Sequence, residues 1–78
     1  MIAKVAGNLR GTLEIKNDKG VLFIHRLEQK GKNGYPYFVD VVSQKNGRKP
    51  GDNEFVVSVR SDRAKDGRFT GELKCWEV

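Results

Sequence analysis

Apolar and polar residues alternate along most of this chain, and a period of two residues is typical of β-strands. In the segment LRGTLEIK, Leu9, Leu13 and Ile15 alternate with charged or polar neighbours. The segment EFVVSVR repeats the pattern, with Phe55 and Val57 on its apolar side. Strands with one buried and one solvated face show this alternation, so the sequence predicts an all-β fold.

Turn signals divide the alternating segments into five strands. The turn NDKG ends the first strand with residues that tolerate the positive φ of a tight hairpin. A second strand follows in VLFIHRLEQ and a third in YPYFVDVVS, where Pro36 must lie at the start or on an edge. The third strand places Tyr37 and Val39 on one face and Phe38 on the other. In the last strand, RFTGELKCWEV, Trp76 falls on the polar face.

Five strands in antiparallel succession suit a small closed barrel, which leaves no strand edge exposed. We expect a single domain over residues 1–78, a small five-stranded antiparallel OB-fold-like barrel. An SH3-like barrel also fits five such strands. The OB-fold is favoured because Gly7 and Gly11 lie where a long first strand must bend to serve both sides of a barrel. The polar segment 44–53 is too short and too broken for a helix.

The chain also lacks the residues that most enzymes and metal sites require. Its 78 residues leave no room for a catalytic domain with a deep pocket. A single cysteine, Cys75, excludes an internal disulfide, and no CxxC pair or His/Cys cluster is present to hold zinc. The only histidine, His25, lies mid-strand, where a lone histidine is more often structural than catalytic. We predict a protein without catalysis, metal or other cofactor.

Hydropathy and charge restrict the location and the partners. No apolar run approaches the roughly 18 to 20 residues of a membrane span, and the N-terminal segment MIAKVAGNLRG lacks the apolar core of a secretory signal. We therefore expect a soluble protein of the cytoplasm. Lys and Arg outnumber Asp and Glu by 15 to 10, a net charge of +5. This excess favours phosphate polymers or acidic protein faces as partners.

The segment QKGKNGYPYFVD, residues 29–40, combines lysines, glycines and aromatic rings between the second and third strands. Proteins that bind single-stranded nucleic acid contact phosphates with Lys and Arg and stack bases on aromatic rings. Lys30 and Lys32 precede Tyr35, Tyr37 and Phe38 by a few residues, a spacing that can place both kinds of contact on one hairpin. The alternative is that the rings pack within the protein and the lysines only solvate a loop.

Four further residues are candidates for the same surface. Arg10 and Arg26, on the outward faces of the first two strands, can extend a basic track across the barrel. Trp76 is either a stacking residue or part of a dimer interface, since interfaces also favour exposed tryptophan. Phe69 follows a basic turn and is either a stacking residue or a core residue. The run KNGRK, residues 45–49, can add to the track, although such runs are more often solvated loops.

These motifs resemble those of the small single-stranded-DNA-binding proteins of filamentous phages, the gene V type, which have an OB-like five-stranded fold. The segment KGKNGYPY is similar to the basic, glycine-containing hairpin of that family, which ends in Pro-Tyr. The segment KPGDNEFVVSVRSDRAKDGRFTGEL is similar in order and spacing to its Pro-Gly turn, alternating strand and last hairpin. The resemblance extends over about half of the chain.

The resemblance implies that Tyr37 stacks on a base, that Lys30 contacts a phosphate and that Phe69 approaches DNA held by a neighbouring protomer. It also implies a homodimer that coats strands cooperatively. The predicted function is single-stranded DNA binding without sequence preference, for strand coating and protection in DNA replication, in the host cell cytoplasm if a phage encodes the chain. The alternatives are single-stranded RNA binding and a protein-interaction module with an SH3-like barrel.

Overall fold

A computed structural model describes residues 1–63 and 69–78, without the side chains of residues 62–72. Its strands are β1 (Ile2–Asn17), β2 (Gly20–Lys30), β3 (Pro36–Ser43), β4 (Gly51–Arg63) and β5 (Phe69–Glu77). Within the described residues there is no helix, which confirms the all-β prediction. It follows that this part of the chain contains no helix long and apolar enough to cross a membrane.

The five strands form one sheet that closes into a barrel in the order β1-β2-β3-β5-β4. Four of the neighbouring pairs are antiparallel, whereas β3 and β5 run parallel. The prediction of a wholly antiparallel barrel was therefore wrong at this pair. The reason is geometric: strand directions cannot alternate all the way around a closed ring with an odd number of strands, so at least one pair must be parallel.

A β-bulge at Arg10 changes the face on which the residues of β1 point. Leu9 pairs with Leu27 and Gly11 pairs with Arg26, so Arg10 is an extra residue in the ladder. An extra residue reverses the alternation that follows it. Leu9 is buried, but Leu13 is 62% exposed, because after the bulge it lies on the outer face. The predicted continuous buried face from Leu9 to Ile15 was therefore wrong beyond the bulge.

The turn between β1 and β2 has the tight form that the sequence predicts. Asn17 and Gly20 are paired, leaving a two-residue loop. The Asn17 side-chain oxygen accepts a hydrogen bond from the backbone N–H of Lys19 at 2.9 Å. Gly20 has a φ of 129°, which is strained for residues with a side chain.

A small apolar core fills the barrel. Its fully buried members are Leu9, Leu27, Val41, Phe55 and Val57. Half-buried apolar residues from β1, β4 and β5, including Val59, pack against them. The alternation predicted for β4 is confirmed, because its inward residues are the ones that the core contains. The core is supplied by all five strands, so its packing fixes the position of each.

His25 is completely buried next to this core and connects β1 and the loop between β3 and β4 to it. Its ring stacks on that of Phe55, with 5.3 Å between the ring centroids. Nε2 lies 3.0 Å from the Lys45 carbonyl oxygen, which can only accept, so Nε2 carries a hydrogen. In the neutral ring Nδ1 then accepts from the Thr12 hydroxyl at 2.8 Å. These contacts agree with the structural role predicted for a lone strand histidine.

The loop between β3 and β4 is held by Arg48 rather than solvated as a whole. The Arg48 guanidinium lies over the Phe55 ring, 4.1 Å from its centroid, and donates to Glu77 at 2.9 Å. Glu77 also accepts a hydrogen bond from Ser43. Burial alone would raise the pKa of Glu77, but the Ser43 hydroxyl and the Arg48 charge outweigh it and hold that pKa below its usual value. Arg48 therefore stabilises the fold, which leaves Lys45 and Lys49 as the cations of this run that form no ion pair among the described residues.

Candidate nucleic-acid interface

The β2–β3 hairpin, residues 28–38, extends the ladder of these strands to the pair Lys30 and Pro36. Pro36 is the first residue of β3, as predicted from its missing N–H. The turn is closed by a hydrogen bond from the Gly31 N–H to the Tyr35 carbonyl at 3.0 Å. Gly34, with a φ of 82°, lets the chain reverse inside this turn. The hairpin thus has a defined backbone geometry and is not an open loop.

Two cations of this hairpin are available to a ligand. Lys30 and Lys32 are both exposed, and neither forms an ion pair or a side-chain hydrogen bond with the part of the protein that the structure describes. The nearest carboxylate along β2, Glu28, is engaged by Arg10 at 3.5 Å. The turn itself contains no acidic residue. The hairpin therefore carries a local positive charge that no described carboxylate neutralises.

Three aromatic rings accompany these lysines and remain largely exposed. Tyr35 is 71% exposed, Tyr37 56% and Phe38 55%. Apolar rings are usually buried, so three exposed rings within four residues form an unusual surface. The structure thus excludes for all three the alternative that they are core residues.

Tyr37 is held in place by contact with Gly31. A Cβ atom added to Gly31 would lie 2.8 Å from Cε2 and 3.1 Å from Cζ of the Tyr37 ring, and would also overlap the Tyr35 carbonyl oxygen. The ring therefore lies directly against the glycine backbone, which only a residue without a side chain permits. One side of the ring is fixed by this packing while the rest stays open to a ligand.

Tyr37 and Phe38 point to opposite faces of the sheet because side chains alternate along a strand. Tyr37 shares its face with Val39 and the core residue Val41, as predicted, but lies beyond the end of the core. Phe38 lies on the outer face, where the Arg26 guanidinium is 5.8 Å from its ring centroid. Phe38 belongs to the predicted group of hairpin rings, but the sequence did not show whether its face of β3 is exposed.

Arg10 and Arg26, the predicted basic track, both lie on the outer face, but each forms an ion pair with a carboxylate. Arg26 donates two hydrogen bonds to Asp40, from Nε at 2.9 Å and from Nη2 at 3.1 Å. This pairing raises the pKa of Arg26. Arg10 is paired with Glu28. Each cation is thus matched by a carboxylate on a neighbouring strand, so the positive charge of this surface is concentrated at the hairpin turn.

The last two predicted residues, Trp76 and Phe69, are not part of the described hairpin surface. Trp76 is half-buried on β5, where it pairs with Val42 and where Arg60 lies 6.0 Å from its ring centroid. Val42 lies about 20 Å along β3 from the hairpin turn and about 13 Å from Phe38, too far for Trp76 to contact these rings. The structure therefore does not bring Trp76 to the hairpin rings. Phe69 begins β5, and its side chain is outside the described residues.

Metal-binding side chains do not cluster in the described ranges, where no three His, Cys, Asp or Glu residues are arranged to hold an ion. Every buried side-chain nitrogen and oxygen there has a hydrogen-bond partner. Comparison with known proteins adds no identification, since no protein-family model and no curated protein matches the chain. The site must therefore be interpreted from its own geometry.

Proposed function

We propose that this chain binds single-stranded DNA through the β2–β3 hairpin and has no catalytic activity. The observation that carries this proposal is the combination, on one hairpin, of two unpaired lysines with three exposed aromatic rings. Cations that contact phosphates and rings that stack on bases are the two elements of binding to single strands. The hairpin supplies both within residues 30–38.

The exposed rings favour single strands over duplexes. In a duplex the flat faces of the bases are covered by their neighbours, so a ring can stack only on a base that has left that stack. Tyr37 and Phe38 project from opposite faces of the hairpin, so they can hold two bases of a flexible strand that passes around it. Such contacts are tolerant of sequence because every base has a π-face.

We also propose that the barrel is an OB-fold. The order β1-β2-β3-β5-β4, with β4 returning to β1, supports this assignment over an SH3-like barrel. In OB-folds the face formed by strands 2 and 3 binds oligonucleotides. Here that face carries Phe38 and Arg26, and the hairpin extends it. The proposed fold type and the proposed function thus point to the same surface.

The biological role that we propose is strand coating and protection during DNA replication, by a homodimer in the cytoplasm of the host of a phage. This role rests on the resemblance of KGKNGYPY and the C-terminal half to the gene V type. The OB surface also accepts RNA, because no described donor is dedicated to a 2′-hydroxyl. The homodimer is tested by the mass of the protein in solution, measured by light scattering over a range of protein concentrations.

A protein-interaction module is the second candidate function. The outer face of the β1–β2 ribbon exposes apolar side chains, with Leu13 62% and Ile15 37% exposed. Exposed apolar patches of this kind also serve as protein contacts. This surface lies away from the β2–β3 hairpin along β2, so the two candidate functions use separable residues.

The test is fluorescence anisotropy of labelled oligo-dT, a duplex and an RNA oligomer, titrated with protein at several salt concentrations. We expect tight binding of oligo-dT, weak binding of the duplex and a steep loss of affinity with salt. Lys30→Gln with Lys32→Gln should reduce the slope of log K against log salt by about 1.4, since each phosphate contact contributes about 0.7. Lys16→Gln with Lys19→Gln is the control, with the same charge change at the opposite end of β2.

The stacking contribution is measured separately. Tyr37→Leu should weaken oligo-dT binding by about fivefold or more at all salt concentrations, because base stacking does not depend on counterions. Tyr37→Phe retains the ring and should bind like the unmodified protein. No binding of any polymer at low salt would overturn the proposed function, and the exposed residues of the β1–β2 ribbon would then be the surface to investigate.

A further inference from the structure

A polar cleft opens where β1 and β2 separate. The ladder between these strands ends at the pair Asn8 and Glu28, beyond which β1 pairs only with β4 and β2 only with β3. The cleft between them has a volume of about 750 Å³, within the usual range of ligand sites. Gly7 forms part of its wall, where an added Cβ would lie 3.0 Å from the Glu28 carbonyl and 3.3 Å from Cγ of Gln29.

Hydrogen bonds at the wall of the cleft fix the orientation of two amide side chains. The Gln29 Nε2 donates to the Ala6 carbonyl at 2.7 Å, so its side-chain oxygen is left as an acceptor. The Asn53 Nδ2 donates to the Lys49 carbonyl at 2.8 Å and the Gly51 carbonyl at 3.0 Å, which leaves its oxygen as an acceptor too. Both amides therefore offer acceptors to a ligand.

Asp52 and Asn8 add further unused hydrogen-bonding capacity to this cleft. They are direct partners in the β1–β4 ladder, so their side chains lie on the same face, about 5 Å apart at Cβ. Neither side chain has a hydrogen bond or an ion pair with the residues that the structure describes. Asn8 is also half-buried. A carboxylate and an amide are thus left side by side without partners.

The cleft has more acceptors than donors, and its charged groups are the carboxylates of Asp52 and Glu28 and one ammonium, that of Lys30. A phosphate would be repelled by their net negative charge, so the part of a nucleotide that fits here is the base. Among the bases, guanine alone presents two adjacent donors, N1–H and the N2 amino group, which match the two oxygens of one carboxylate. Its O6 needs a donor, which the Asn8 amide or the Lys30 ammonium can supply.

We propose that this cleft is a guanine subsite, in which Asp52 accepts from N1–H and N2–H of one base in the bound strand. The proposal rests on the proposed single-strand binding, because Lys30 lines the cleft and also belongs to the hairpin that contacts phosphates. The rings of the hairpin bind bases of any kind, whereas the cleft prefers one kind at a single position. A protein that coats mixed sequences would thus bind in a preferred register on strands that contain guanine.

The experiment compares oligo-dT with the same oligomer carrying a single internal guanine or a single inosine, using anisotropy at fixed salt. Inosine lacks only the N2 amino group, so it removes one of the two proposed hydrogen bonds. We expect the guanine oligomer to bind about five- to tenfold more tightly than oligo-dT, with inosine in between. In Asp52→Asn the three oligomers should bind with nearly equal affinity.

Asp18→Asn is the matched control, because it removes the same charge from the β1–β2 turn, remote from the cleft. It should retain the full guanine preference. Equal binding of all three oligomers by the unmodified protein overturns the guanine subsite but leaves single-strand binding intact. A preference that survives in Asp52→Asn also overturns it. Failure to bind any oligomer overturns the proposed function itself, so the two failures are distinguishable.

Discussion

Replacement of Asp40 by Asn should strengthen the binding of single-stranded DNA, because it releases Arg26 for a phosphate. Asp40 accepts hydrogen bonds from Nε and Nη2 of Arg26 at 2.9 and 3.1 Å. The same two donors would bind a phosphate. Both side chains are largely exposed, 59% for Arg26 and 44% for Asp40, so a strand can reach them. The carboxylate therefore competes with the ligand for this guanidinium.

The size of the effect follows from counterion release. One added phosphate contact on a single strand makes the slope of log K against log salt steeper by about 0.7. Compared with binding at about 1 M salt, this contact increases the affinity about eightfold at about 50 mM salt and about threefold at about 200 mM salt. Asp40→Asn should therefore bind oligo-dT more tightly at low salt and lose the advantage as salt rises.

The assay is oligo-dT anisotropy over this salt range, with Asp18→Asn as the control for a general change in net charge. Thermal unfolding of both variants checks that the fold is retained, which we expect because exposed ion pairs contribute little to stability. If Asp40→Asn and Asp18→Asn have the same slope, Arg26 does not contact a phosphate and the reasoning is refuted.

Three further substitutions test the packing around the hairpin and the core. Gly31→Ala should displace both the Tyr37 ring and the Tyr35 carbonyl that closes the turn, and should weaken oligo-dT binding at all salt concentrations, as is expected of Tyr37→Leu. Unchanged affinity would contradict the role of this packing. Glu77→Gln should lower the free energy of unfolding by about 1 to 2 kcal/mol near pH 7. Because the folded pKa of Glu77 is depressed, the difference from the unmodified protein should shrink as the pH falls below the ordinary value of 4.5, and a constant difference in urea unfolding would contradict this. His25→Phe retains a ring but leaves the Thr12 hydroxyl and the Lys45 carbonyl without their partner, so it should lower the free energy of unfolding by about 2 to 4 kcal/mol. The slope of log K against log salt for oligo-dT binding should not change, and a changed slope would contradict a purely structural role.

The sequence predicted those parts of the fold that depend on alternation alone. The inward residues of β4, Phe55 and Val57, follow a strict period of two and are buried. The same rule failed in β1, because one extra residue at Arg10 reverses the faces, and a bulge has no signature in the apolar pattern. Leu13 was accordingly predicted to be buried and is exposed.

The sequence predicted which residues make up the hairpin of the candidate site, but not which of the cations nearby form ion pairs. The basic hairpin with Lys30 and Tyr37 can be predicted from the local sequence, because all its residues are close together in the chain. The pairing of Arg26 with Asp40 cannot, because these residues become neighbours only through the register of β2 and β3. The exposure of Phe38 was not predictable either, because it depends on which face of β3 the core covers.

The parallel contact between β3 and β5 also has a consequence for how the barrel forms and opens. Among the described residues this contact consists of two pairs, Val41 with Cys75 and Val42 with Trp76, and it joins distant parts of the chain. Contacts that close long loops carry the largest entropic cost and form late in folding. The hairpin between β2 and β3 needs no such closure, so the proposed binding surface can be assembled before the barrel closes. Amide hydrogens at this junction should accordingly exchange with solvent faster than those between β1 and β2, through local opening that leaves the hairpin folded.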